Sequence, residues 1–431
     1  MIAKIAWRNI TYKPLNTILS LILLTAAVAI ISLLMLLQEQ FEKQFSGNID
    51  NIDMVIGAKG SPLQLILSAV YQMDAPPGNI SYDQAKTYIN HPFAQSAVPL
   101  AFGDNYLGFK IVGTTPDYLK IYASGIGSGK MYSDNFEVVI GAEVAAKLKL
   151  KIGDTFFGAH GDAAEGEVHE EYPYVVVGIA ARSGKVADNL ILTKIESVWA
   201  MHESHDHNPP HGEEGHIHAA DEEPNPAHGE EGHVHHDGEE HDHAETDTEG
   251  KEITAVLVKF RNKMAFVLWP RLIAQNTDMQ AASPAVEINR LFSLFGIGLT
   301  ALQYLAYGIM LISGISIFIA LYNTLKERKY EFALMRISGA SRLQLLLLVM
   351  AESIFLCLTG FILGTVVGRL ALWLISSATE QEYKMAFEPF VFVWEKEGIL
   401  LLVTIFVGCV AALIPAIKAY SLNISKTLSN G

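Results

Sequence analysis

Four stretches of this chain are too long and too apolar for the interior of a soluble domain, and they restrict the fold before any other feature does. Leu15–Leu37 runs for 23 residues without a charge, enough to cross roughly 30 Å of hydrocarbon at about 1.5 Å per residue. Leu291–Leu325 is uncharged for 35 residues. That is more than one bilayer needs, so the surplus is expected to continue as helix beyond the membrane or to be absorbed by tilt. Leu343–Ile375 carries two charges, Glu352 and Arg369, and Gly398–Ile417 is interrupted only by Pro415. The first run exceeds the apolar core of a secretion signal and is followed by QEQFEKQF, not by a small-residue cleavage site. It reads as a retained span.

The flanking charges set the direction of these spans. Lys4, Arg8 and Lys13 precede the first with no acid beside them, and Lys418 and Lys426 follow the fourth unopposed. Between the second and third, Lys326, Arg328, Lys329, Arg336 and Arg342 outnumber Glu327 and Glu331. The segment between the third and fourth is acid-rich: Glu380, Glu382, Glu388, Glu395 and Glu397 against Lys384 and Lys396. Cations are retained on the cytoplasmic side, so both termini and the middle loop are expected inside the inner (plasma) membrane of a bacterium, with 38–290 outside. The expected order is an amphipathic surface helix at 1–14, spans at 15–37, 291–325, 343–375 and 398–417, a connector at 326–342, an outer loop at 376–397 and a tail at 418–431. The fold class is a membrane protein with four transmembrane α-helices (one plus three) and a large extracytoplasmic α+β domain between the first and second.

Within that outer region, β-rich runs such as EVVIG (Glu137–Gly141), YPYVVVGIA (Tyr172–Ala180) and ITAVLVKF (Ile253–Phe260) alternate with turn signals. AEVAAKLKL (Ala142–Leu148 and the two residues after it) has helical spacing, and Asp188–Trp199 reads as a short strand followed by a helix start.

One insert, 200–250, stands apart. The chain's formal charge is −15, yet Ile195–Gly250 alone holds 17 Asp and Glu with no Lys or Arg, so the remainder sums to about +2. An acidic surface of this kind argues against nucleic acid as a partner. The insert is too poor in apolar residues to offset the cost of fixing its backbone, so it is expected to be disordered. The octet HGEEGHIH at His211–His218 returns as HGEEGHVH at His228–His235. His202, His205, His207, His211, His216, His218, His228, His233, His235, His236, His241 and His243 supply imidazoles, many in His-x-His pairs among carboxylates. Neutral imidazole with carboxylate suits zinc first, at several weak, interchangeable sites, and protonation below a pH of about 6.5 should release the metal. Cys357 and Cys409 lie in separate apolar runs and form no metal or redox motif.

No catalytic constellation is visible, and no covalently bound cofactor is expected. GIGSGKMY (Gly125–Tyr132) imitates a phosphate loop, but Ser124 stands where the first glycine of that motif belongs and Met131 where its Ser or Thr should reach magnesium. A glycine-rich turn is the better reading. The chain is not expected to be an enzyme.

The connector is the most informative of the inward segments. LKERKYEFALMRISGAS (Leu325–Ser341) predicts a short amphipathic helix with Leu325, Phe332, Met335 and Ile337 as apolar points, Gly339 as its stop and Ser341 as the N-cap of the next span. With E-x-x-x-E-x-A-L-x-R-x-x-G-A-S, the glycines at Gly360, Gly364 and Gly368, the closing IPAIKAYSLNISKTL and the leading AWRNITYKPLNTILS, the chain resembles the FtsX/MacB-type permeases of ABC transporters. Asn423-Ile424 departs from the Asn-Pro frequent there. The resemblance implies a permease that dimerises, as a homodimer or with a related subunit, and binds a separate cytoplasmic ABC ATPase, the source of any ATP hydrolysis. ATP-driven closure would be transmitted along the second span to the outer domain, acting on lipoprotein, peptide or lipophilic cargo with a periplasmic lipoprotein or adaptor as partner. It implies Glu327, Arg328, Glu331, Leu334, Met335 and Arg336 as the ATPase contact. Glu352 and Arg369, in apolar surroundings, should pair or reach an interface. Two alternatives stand beside this: a zinc or transition-metal uptake or efflux component that collects or senses metal through the His-rich loop, and a non-transporting regulator of an outer enzyme.

Overall fold

The computed structural model describes residues 14–159, 172–203, 250–383 and 387–422. The expected surface helix at 1–14 lies outside them except for Pro14, as do most of the 200–250 insert and the tail from 423. The chain divides into two compact units, Asn51–Pro284 and the helical remainder.

Helix α1 (Pro14–Ile49) carries the first apolar run and continues through the polar QEQFEKQF. It hands over to the α+β unit, whose elements are β1 (Met54–Ala58), α2 (Pro62–Ala69), β2 (Ile80–Ser81), α3 (Tyr82–Ile89), β3 (Ala94–Tyr106), β4 (Phe109–Thr114), α4 (Asp117–Ile121), β5 (Ile126–Gly129), β6 (Glu137–Ile140), α5 (Ala142–Leu148), β7 (Thr155–Phe156), β8 (Tyr174–Ala180), β9 (Ile191–Thr193), α6 (Ile195–Glu203), β10 (Glu252–Ile253), β11 (Ala255–Phe260), α7 (Met264–Asn276) and β12 (Met279–Ala282). The main sheet runs β12-β1-β11-β3-β4-β9-β6-β8-β5, with β7 beside β8; β10 pairs with β2 separately. Most neighbours are antiparallel, but β4–β9 and β6–β8 are parallel.

Alternation along the strands produces two cores. Met54, Ile56, Val256 and Val258 meet Trp199, Trp269 and Ile273 on one half of the sheet. Ile111, Val138, Ile140, Val176 and Ile191 meet Phe109, Phe156 and Tyr174 on the other. The expected strand 253–260 is broken: the Thr254 amide donates to Leu100 O at 2.7 Å, and its hydroxyl accepts from the Phe102 amide at 3.0 Å. A side chain that can bond the neighbouring backbone interrupts the ladder there.

The helical unit contains α1 and then α8 (Pro284–Glu327), α9 (Lys329–Ile337), α10 (Arg342–Tyr383) and α11 (Trp394–Tyr420). Four helices are long and apolar enough to span a membrane. At 44 residues, α8 is about 66 Å long. That exceeds the hydrocarbon thickness about twofold, consistent with the surplus read from its uncharged run. The segment 376–397 is shorter as a loop than expected, since α10 runs to Tyr383 and α11 starts at Trp394. Polar residues end an apolar run without ending a helix, so hydropathy marks the membrane and not the helix boundary.

Glycine spacing decides how α10 meets α1. A Cβ on Gly360 would lie 2.6 Å from Leu24 Cδ2, one on Gly364 2.6 Å from Val28 Cβ, and one on Gly368 2.8 Å from Ala29 O. Four-residue spacing puts all three on one face, and their missing side chains let the two backbones close. At Gly408 of α11 a Cβ would lie 2.1 Å from Cys357 Sγ, and Ser353 Oγ donates to Gly408 O at 2.7 Å.

Candidate functional site

The connector is built from two helix-end motifs set back to back. At Arg328 the backbone leaves α8 with φ −99° and ψ 20°, and α9 begins. The Arg328 guanidinium holds Glu331 Oε2 through Nε at 2.7 Å and Nη2 at 2.6 Å. Helix α9 ends in a left-handed Gly339 at φ +97°. The Ala340 amide donates to Met335 O at 2.9 Å and the Gly339 amide to Arg336 O at 3.2 Å, the two bonds of a Schellman stop. Arg336 Nη1 closes over the turn onto Ala340 O at 2.9 Å. Immediately afterwards Ser341 caps α10: the Gln344 amide donates to Ser341 Oγ at 3.1 Å, and the Ser341 amide to Gln344 Oε1 at 2.7 Å. That reciprocal pair is a capping box with glutamine in the fourth position.

The inner face of this knob is apolar. Leu325 and Phe332 are buried with Leu345, Leu348, Val349, Ala416 and Ala419, and Met335 packs against them. Of the expected apolar points, Ile337 turns outward at 60% exposure, because it is the last helical residue before the Schellman turn. The outer face presents Tyr330, Leu334 and Ile337, with Leu343 following on α10. Glu327, Lys329 and Glu331 are exposed among them. Of the six contact residues expected from the sequence, Glu327, Glu331 and Leu334 are therefore on the surface, while Arg328, Met335 and Arg336 are half-buried and shape it. Tyr330 was not legible as part of this face; its four-residue spacing from Leu334, itself three residues before Ile337, was the available signal.

The two intramembrane charges do not meet each other. Glu352 is buried in the first half of α10, and Arg369 lies 17 residues further along the same helix. Arg369 instead reaches the segment between α10 and α11. Its Nη2 lies 2.5 Å from Glu397 Oε1, its Nη1 donates to Pro389 O at 2.6 Å and Val391 O at 3.1 Å, and its guanidinium carbon sits 4.2 Å over the Phe392 ring. Both charged side chains are nearly buried, so the pairing and the two carbonyl acceptors offset their desolvation. The same end is tied to α1. The Gln40 amide donates to Glu388 O at 2.9 Å and accepts from the Glu388 amide at 2.7 Å, and Lys396 Nζ pairs with Glu39 at 2.5 Å.

In the α+β unit the phosphate-loop look-alike is an edge strand. Residues Ile126–Gly129 form β5 against β8, and Gly129 sits at φ +82°, where a Cβ would strike Val177 O. Lys130 is engaged by Glu137 Oε1 at 2.8 Å. The Glu137 carboxyl also accepts from the amides of Ser133 and Asp134 at 2.8 and 3.2 Å, and these partners, Lys130 first, hold it down to about 2. All twelve histidines of the expected metal set lie outside the described side chains. Among the described residues no group of three or more His, Cys, Asp or Glu is placed to hold a metal ion.

Comparison with known proteins finds two family models on this chain. The FtsX-like permease C-terminal model matches residues 304–424, and the MacB-like periplasmic core domain model matches residues 15–222. Among solved structures, the periplasmic region of MacB from Actinobacillus actinomycetemcomitans is 13% identical, with a TM-score of 0.33 over 57% of this chain and 95% of that one. The extracellular domain of the ABC-type transporter YknZ from Gram-positive bacteria is 11% identical, with a TM-score of 0.29 over 53% of this chain and 99% of that one. No curated protein matches.

Proposed function

The chain belongs to the FtsX/MacB-type family of ABC transporter permeases, and from that premise we propose that it couples ATP hydrolysis in a separate cytoplasmic ATPase to motion of its outer domain. The observation that carries this reading is the connector. Two helix-end motifs fix a short helix whose outward face is apolar at Tyr330, Leu334 and Ile337 and charged at Glu327, Lys329 and Glu331. A rigid apolar patch ringed by charges is the anatomy of a protein interface. Rigidity matters here, because a connector that yields cannot transmit force. The continuous α8 supplies the lever from the connector toward the α+β unit.

On this reading the permease works as a dimer of itself or with a related subunit, both termini lie in the cytoplasm, and the cargo is a lipoprotein, peptide or lipophilic molecule handled outside the inner membrane. The test is co-purification with the cognate ATPase after Leu334→Asp combined with Lys329→Glu. Both side chains point outward, so the permease should stay folded while affinity for the ATPase falls at least about tenfold. An intact complex with an unchanged ATPase rate would remove the connector from the mechanism.

The repeated His-x-His pairs favour an additional role for the insert: collecting or sensing zinc at several weak sites. The full chain should bind several equivalents of zinc near neutral pH and release them as pH drops below about 6.5, and a chain lacking 202–243 should not. Equal zinc uptake by the two chains, measured by equilibrium dialysis, would end the metal reading while leaving the permease reading untouched.

A further inference from the structure

Helix α7 has two apolar stripes where a surface helix of a folded domain normally has one. Ala265, Trp269 and Ile273 point inward and are buried in the core with Met54, Val258 and Met279. Met264, Val267, Leu268 and Leu272 lie outside that buried stripe and are exposed, Val267 most nearly opposite it at 74% and Met264 at 60% exposure. Arg271 shares that outer stripe, and Arg261 and Lys263, both exposed, stand just before it. Arg261–Asn276 holds these three cations and no acid.

Register within the sheet shows where this helix begins. Strand β11 pairs antiparallel with β1, Met54 opposite Val258 and Gly57 opposite Ala255. Its last residues therefore lie beside the residues that enter the domain: the Phe260 amide donates to Asp53 Oδ2 at 2.7 Å, and Lys259 Nζ to Asn51 Oδ1 at 2.6 Å. On the other side of β1, Ala282 of β12 lies opposite Val55, two residues before the chain leaves at Pro284. Arg261, Lys263 and Met264 thus lie at the edge of the domain through which both connections to the spans pass.

We propose that α7 rests its outward face on the anionic phospholipid surface next to these connections, as an in-plane amphipathic anchor. Anionic headgroups complement the three cations, and the outer apolar stripe enters the boundary between headgroups and acyl chains. A second copy of the chain is the poorer occupant, since an isologous pairing would bring like charges together. This anchor does not depend on which cargo or ATPase the permease serves. It would give the outer domain a resting pose from which it can be lifted.

The test uses the full chain with Cys357→Ala and Cys409→Ala, a single Val267→Cys carrying an environment-sensitive fluorophore, and nanodiscs of phosphatidylcholine with or without phosphatidylglycerol. Lys151→Cys, on another exposed part of the domain, serves as the reference. Lipids bearing a doxyl quencher should quench the label at 267 several-fold more than at 151, and only when phosphatidylglycerol is present. Arg261→Gln, Lys263→Gln and Arg271→Gln should each weaken that association roughly fivefold. Equal quenching at the two positions, or quenching insensitive to phosphatidylglycerol and to the three substitutions, overturns the proposal. So does a label shielded from aqueous iodide yet untouched by doxyl lipid, which would mean that a protein covers the helix.

Discussion

Glu137 shows how much one exposed-looking carboxylate can be asked to hold. Lys130, the Ser133 and Asp134 amides and the Ser133 hydroxyl all converge on it, fixing the loop that connects β5 to β6. Its folded value of about 2 lies below its ordinary 4.5. The stabilisation it provides is therefore present above about 4.5 and is lost as pH falls toward 2. Glu137→Gln should lower stability near neutral pH by on the order of 1 kcal/mol, the screened worth of a partly solvent-facing pair. It should also flatten the acid limb of the unfolding curve in urea. A variant with the acid sensitivity of the parent would show that other carboxylates carry it. The Arg369–Glu397 pair poses the complementary case. Arg369 was legible as a charge that needed a partner, but Glu397 counted only as one of several acids near the next span. Twenty-eight residues and a different helix separate them, and only the fold brings them together.

At the scale of elements, helix ends and helix faces were the readable features. Gly339 and Ser341 announced a stop and a start, and the Schellman bonds and capping box are what those residues form. The glycines of α10 announced a close contact without naming its partner, which is α1. The seam is not uniform. Gly360 faces the flexible end of Leu24, whereas Gly364 faces the branched Cβ of Val28, which no rotation can withdraw. Gly364→Ala should therefore cost about 1–3 kcal/mol and Gly360→Ala clearly less, as read by unfolding in a detergent titration. Equal costs would mean that the helices simply separate. The outward stripe of α7 was not seen in the sequence, because a short helix with apolar residues on nearly every face reads as generally hydrophobic until burial shows which side is covered.

For the whole molecule, the acidic insert is the largest feature without a described place, and its ends are nonetheless defined. Trp199 Nε1 in α6 donates to Glu252 O in β10 at 2.7 Å, and Lys251 Nζ lies 5.0 Å over the Trp199 ring. The domain thus joins the two flanks itself. Because loop closure cost grows only slowly with length, deleting 202–243 should leave expression, assembly and melting temperature as they are. Loss of the assembled protein in size-exclusion chromatography would instead give the insert a structural part.

The sequence by itself determined the four apolar spans, the α+β character of the region between the first and second, and the family, because hydropathy, period and short end motifs are local properties of a chain. Only the tertiary structure decided which glycine meets which helix, which acid receives Arg369, and which side of the connector and of α7 is left uncovered. Those outcomes depend on residues far apart in the chain competing for the same contact, and a linear pattern cannot rank the competitors.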